Sequence, residues 1–205
     1  MYTMMAAVEG ATKKAEQAEA TRAKLIGVAR ELFAKRGYAR VGTEEIVRRA
    51  KVTRGALYHH FRDKKDLFRA VHEQLEQELV ESLGERIAGI QDAPELLATG
   101  VRSFLDHCTD PALAQIALLD APSVLGWAEW REVDARYGMG LVKLGLEAAM
   151  EQGTMPRQDP EPLAHLLLAA LGEAALLIAH ADDPKRARRE VEPPIMALLE
   201  GLEAR

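Results

Sequence analysis

Apolar residues in the first third of this chain recur at helical spacing, and no strand-like alternation interrupts them. Leu25, Ile26, Ala29, Leu32 and Phe33 follow Thr21 and stop at Gly37, which predicts a first helix capped by the threonine and closed by the glycine. Ile46, Val47 and Ala50 give a short second helix one apolar side. Thr43 is its predicted cap, and Glu44 and Glu45 occupy its first turn, where carboxylates suit the helix dipole. Thr53 then caps a third short helix, Arg54 to about His60, and Asp63 caps a long fourth reaching about Ile90. Residues 1–20 are small and polar and read as a flexible arm.

Past Pro94 the pattern predicts helices at about 94–108, 111–120, 125–152, 160–181 and 185–203, punctuated by Pro111, Pro122, Gly126, Gly153 to Pro156 and Asp182 to Pro184. Residues 127–149 carry two apolar stripes, so that helix belongs in the middle of a bundle. The expected fold is all-α: an N-terminal three-helix helix-turn-helix domain over 21–68, preceded by the arm, and a C-terminal helical bundle over 69–205.

The segment from Thr43 to Phe61 carries most of the chemistry. Its two short helices are joined by a turn too tight for an antiparallel pair, so they cross and bury one face each against the first helix. Ile46, Ala50, Val52, Leu57 and Phe61 are the expected shared core, which leaves the start and outer face of the second short helix free to enter a DNA major groove. Arg54 can bond guanine O6 and N7 together. Thr53 and Tyr58 suit phosphate, and Tyr58 can also pack on a thymine methyl. Gly55 lets the backbone approach. Thr43 brings a helix N-terminus to a phosphate, and Lys64, an ill match to its own helix dipole, is expected to clamp the next one. His59 is a further expected contact, whereas His60 reads as packed within the domain. One of Arg48 and Arg49 is an even candidate for phosphate contact.

Charge sharpens this picture. The formal net charge is −5, yet residues 21–72 hold 14 of the 27 Lys and Arg and 5 of the 32 Asp and Glu, a local +9 against −14 elsewhere. That asymmetry suits a polyanion-binding module joined to something else. Cys108 is the single cysteine, which excludes an internal disulfide and a cysteine-based zinc site and fits a reducing cytoplasm. No apolar run is expected to cross a membrane, and the first 20 residues lack the apolar core of a signal peptide. No phosphate loop, nucleophile motif or metal-ligand spacing points to an enzyme, and no cofactor is implied.

Residues 21–71 resemble the DNA-binding domain of the TetR (tetracycline-repressor) family. The resemblance rests on Thr21-Arg22, Ala29, Leu32-Phe33, Gly37-Tyr38, Thr43 to Ile46, Ala50, Val52, Gly55, Leu57-Tyr58, His60-Phe61, Lys64 and Leu67. It implies about nine helices, a homodimer through a four-helix interface made by 160–181 and 185–203 with Ala170 and Ala174 on it, a double-stranded operator, and an unidentified small-molecule effector that releases it. Leu118 to Pro122 and Gly126 to Gly138 resemble an actinobacterial-style branch of that family.

Candidate effector-pocket residues are Trp127, Trp130, Tyr137, Met139, His107, His165, Asp120 and Glu173. The aromatic and Met positions read equally as plain core, and Glu173, in an apolar helix, is expected to be buried and to need a partner. The competing reading is a DNA-binding regulator or architectural protein with no small-molecule ligand; a sealed, pocket-free second domain would favour it, and an open cavity of several hundred Å³ among the helices would favour a sensor.

Overall fold

The computed structural model describes residues 2–202, and every regular element among them is helical. It divides into two compact units, residues 1–71 and 72–205. The first holds α1 (Tyr2–Arg36), a 3-10 turn (Tyr38–Arg40), α2 (Thr43–Ala50), α3 (Arg54–His60) and the first turns of α4 (Lys64–Ile87).

Two sequence expectations are corrected here. Residues 2–20 form no separate arm but extend α1, with Thr21 inside the helix and its Oγ1 donating to the Gln17 carbonyl at 2.8 Å. Residues 14–20 are Ala, Lys, Glu and Gln, strong helix formers with no breaker among them, so propensity carries the helix past the apparent cap. Thr43 is the first residue of α2, and Gly42 is the cap. The remaining caps follow side-chain chemistry. Thr53 Oγ1 accepts from the Ala56 amide at 3.1 Å, and Asp63 Oδ1 from the Asp66 amide at 2.8 Å.

The core of the first unit joins Leu25, Ala29, Leu32 and Phe33 of α1 to Ile46 and Ala50 of α2, Leu57 of α3, Phe61, and Leu67 and Phe68 of α4, all buried. Val52 is half-buried, at the edge of the core expected for it. Lys51 ends α2 in the left-handed region (φ 53°) and turns the chain sharply enough for α3 to cross rather than run back.

The second unit holds the rest of α4, then α5 (Ala93–His107), α6 (Pro111–Leu113), a π-helical stretch (Ala114–Asp120), α7 (Ala121–Leu125), α8 (Trp127–Glu151), α9 (Pro160–Ala179) and α10 (Pro184–Glu200). Asp92, Asp110, Asp159 and Asp183 cap their helices through side-chain oxygens, with proline in each following first turn. α8 packs on α5, α7 and α9, as its two apolar stripes require. A Cβ at Gly145 of α8 would lie 2.5 Å from Leu97 Cδ2, so glycine permits the close approach to α5.

α9 departs from the expectation about membrane spans. Its 20 residues are long and apolar enough, by length and composition, to cross a membrane. Ala164, Leu167, Leu171, Ala175 and Ile178 nevertheless seat one face in the protein core, and Leu166 and Leu177 stand exposed on the other.

Candidate nucleic-acid interface and effector cavity

In the first unit, α3 is buried through Leu57 alone, and its other side is a polar surface. Thr53, Arg54, Gly55, Tyr58 and His59 are all exposed on it. The Arg54 guanidinium lies 5.6 Å from the Tyr58 ring centre, a contact that holds the long side chain over the helix rather than loose in water. His59 meets His60 ring to ring at 5.2 Å, and His60 is half-buried beside Phe61, in keeping with a packed role. Arg48 and Arg49 are exposed, and Arg49 lies 3.8 Å from Glu45, which also takes both carboxylate bonds of Arg36 at 2.8 and 2.9 Å. Thr43 is half-buried.

Lys64 stands differently from the solvent-facing clamp expected of it. Its Nζ donates to the carbonyls of Tyr38 at 3.0 Å and Val41 at 2.9 Å, and lies 3.8 Å from the Tyr38 ring centre. The charge ill-suited to a helix N-terminus thus ties down the turn before α2. Tyr38 itself stacks edge-on against Phe68 at 5.1 Å, and burial raises its hydroxyl above the ordinary tyrosine range, with Asp63 adding to the shift.

The second unit encloses an apolar cavity of about 120 Å³ among α4, α5, the π-helical stretch, α8 and α9. Trp130 is the only expected pocket residue on its wall. Trp127 is 68 % exposed and stacks on Trp130 at 5.0 Å. Glu173 is exposed on α9, not buried; the apolar run around it places its neighbours inward and the carboxylate outward, so it needs no buried partner. His165 is exposed, 3.7 Å from Glu161. His107 shares hydrogen bonds with the Ser103 carbonyl at 2.8 Å and Ser82 Oγ at 3.1 Å, and the two imidazoles are not paired. Tyr137, Met139 and Asp120 are half-buried off the cavity wall.

Glu76, Arg131 and Phe104 line the cavity without having been singled out from the sequence. The available signal was Gly100 and Gly172 within apolar helices, two missing side chains on the cavity wall. Cys108 also faces the cavity, and burial, reinforced by Glu76, holds it as a thiol.

Comparison with known proteins agrees with this architecture. Residues 25–71 match the family of bacterial regulatory proteins of tetR type, and 94–202 match the tetracyclin repressor-like C-terminal domain. The chain belongs to the TetR family. A TetR-family transcriptional regulator from Pectobacterium atrosepticum is 34 % identical, with a TM-score of 0.83 over 93 % of this chain and 97 % of that one. The Transposon Tn10 TetC protein of Escherichia coli is 26 % identical over 78 % of this chain and 81 % of its own length. The A-factor receptor protein of Streptomyces griseus is 30 % identical over 77 % of this chain and 54 % of its own. The chain is accordingly a helix-turn-helix, DNA-binding transcriptional regulator.

Proposed function

We propose that this TetR-family regulator is a cytoplasmic homodimeric repressor that reads a palindromic double-stranded operator with α3 and releases it when a small molecule fills the cavity of the second unit. The observation that carries the DNA half is α3 itself. Five exposed polar or small residues share a helix whose opposite side is locked by Leu57, which is how a reading helix is held rigid and presented. The cavity, at about 120 Å³ smaller than the several hundred Å³ expected of a sensor, still supports the sensor half, because the second unit is not sealed and pocket-free. Exposed Leu166 and Leu177 on α9 and Leu198 on α10 support a dimer through those helices. The segments Leu118 to Pro122 and Gly126 to Gly138 support the actinobacterial-style branch. Because α4 contributes residues to both units, displacement of its cavity-lining part is the proposed route from effector to DNA reading.

Selection from random duplexes with the purified protein tests this reading. An enriched two-fold sequence, with half-sites about one DNA turn (~34 Å) apart, is expected. Enrichment of no sequence would refute an operator-specific role.

A further inference from the structure

The cavity is polar at one end only. On α4 its wall runs from Glu76 to Ile87, about 16 Å at 1.5 Å per residue. α5 runs the other way: His107 bonds Ser82, and a Cβ at Gly100 would sit 3.8 Å from Ile87 Cγ2. Cys108 therefore lies at the Glu76 end, where that carboxylate bears on its thiol. α8 brings Arg131 to the same end. Its neighbour Arg136 lies 3.8 Å from Glu73, and Glu129 acts on the His72 imidazole. At the other end stand Ile87, Leu96, Leu97 and Val142, with no polar side chain.

Both charged groups at the polar end are already engaged within the protein. The Trp130 indole N–H is spent on the Ala117 carbonyl at 3.1 Å. A ligand with a net charge would have to break one of these engagements or enter uncompensated. A head group without charge can instead accept from the guanidinium and donate to the carboxylate while both stay paired. An apolar cavity of about 150 Å³ holds benzene, so one of about 120 Å³ suits a molecule of roughly five or six non-hydrogen atoms.

Building on the effector reading above, we infer that the cavity takes a short uncharged amphiphile, with a hydroxyl-type head between Glu76 and Arg131 and an alkyl tail toward Ile87 and Leu97.

The test uses the full-length Trp127→Phe protein, in which Trp130 is the remaining one of two tryptophans and reports from the cavity wall. Primary alcohols of three to ten carbons are titrated, with the alkanoate and alkylammonium of each length. Expected is a saturable change in Trp130 emission, with affinity rising about fourfold per methylene and levelling at about six non-hydrogen atoms. Both charged series should bind at least tenfold more weakly. Gly172→Leu adds a side chain where no heavy atom lies within 4 Å of the new Cβ, and should move the optimum to shorter chains. Affinity independent of length, preference for a charged series, or an optimum unmoved by Gly172→Leu would each overturn the inference. Operator binding without alcohol is measured in parallel. Its loss would count against the proposed repressor function alone, and intact operator binding with no alcohol bound would count against the amphiphile alone.

Discussion

The Nε1–H of Trp130 donates to the carbonyl oxygen of Ala117 at 3.1 Å inside the second unit. Pro122 explains the pairing. Within the π-helical stretch amides reach five residues back, as Ala121 does to the Ile116 carbonyl. The next amide would serve Ala117, but Pro122 has none, and the α8 indole takes its place. Trp130→Phe should therefore leave a buried acceptor unmet and cost about 1–3 kcal/mol. In a Pro122→Ala background, where an amide is restored, the same change should cost less. Urea unfolding of the four proteins gives the coupling, and strict additivity would show that the indole bond does not stand in for the missing amide.

Arg54→Ala should weaken binding to the selected operator by about 1–3 kcal/mol and relax preference at one base pair per half-site. Anisotropy on matched and singly mismatched duplexes measures both. Unchanged affinity and preference would mean that another residue of α3 reads that base.

Lys64→Met keeps the aliphatic stem beside Tyr38 but removes the donor to the Tyr38 and Val41 carbonyls. A loss of about 1–3 kcal/mol in stability is expected, since hydrogen bonds from charged groups are the stronger kind. A phosphate role adds a second readout, a salt slope smaller by about one. Lower thermal stability with an unchanged slope would assign Lys64 to positioning the turn alone.

His72 is fully buried and has no hydrogen-bond partner among the described residues. Burial lowers its pKa from an ordinary 6.5 to about 4, outweighing the raising effects of its own backbone and of Glu129, and the Glu76 carboxylate lies 4.0 Å from Nε2. Below pH 6.5 the unfolded chain takes up a proton that the native imidazole refuses. Stability is thus fully present above about 6.5 and falls as pH drops toward 4, by on the order of 3 kcal/mol at the outside. His72→Leu should flatten urea midpoints across that window; an unaltered pH profile would show that other groups set it.

Leu177→Glu should split the proposed dimer while leaving the fold intact, because Leu177 is 54 % exposed in the single chain. Ala174, expected on the dimer face from the sequence, is 3 % exposed and belongs to the chain's own core, so Ala174→Glu should unfold the second unit instead. Sedimentation velocity and far-UV circular dichroism distinguish the two outcomes. A Leu177→Glu protein that remains dimeric at micromolar concentration would move the interface off this face.

What the sequence determined by itself was local. The all-helical class, the crossing of α2 and α3, and the outward set from Thr53 to His59 follow from periodicity, caps and a short turn, all written within about twenty residues. Even there a cap signal misled at Thr21, where the helix propensity of residues 14–20 outweighed it. The cavity was decided only by tertiary structure. Its wall draws on α4, α5, α8 and α9, helices far apart in the chain whose meeting no periodicity marks. Glu173 and Ala174 show the same limit: an apolar helix announces that it is buried somewhere, but which stripe meets its own core is settled by the neighbours it packs against.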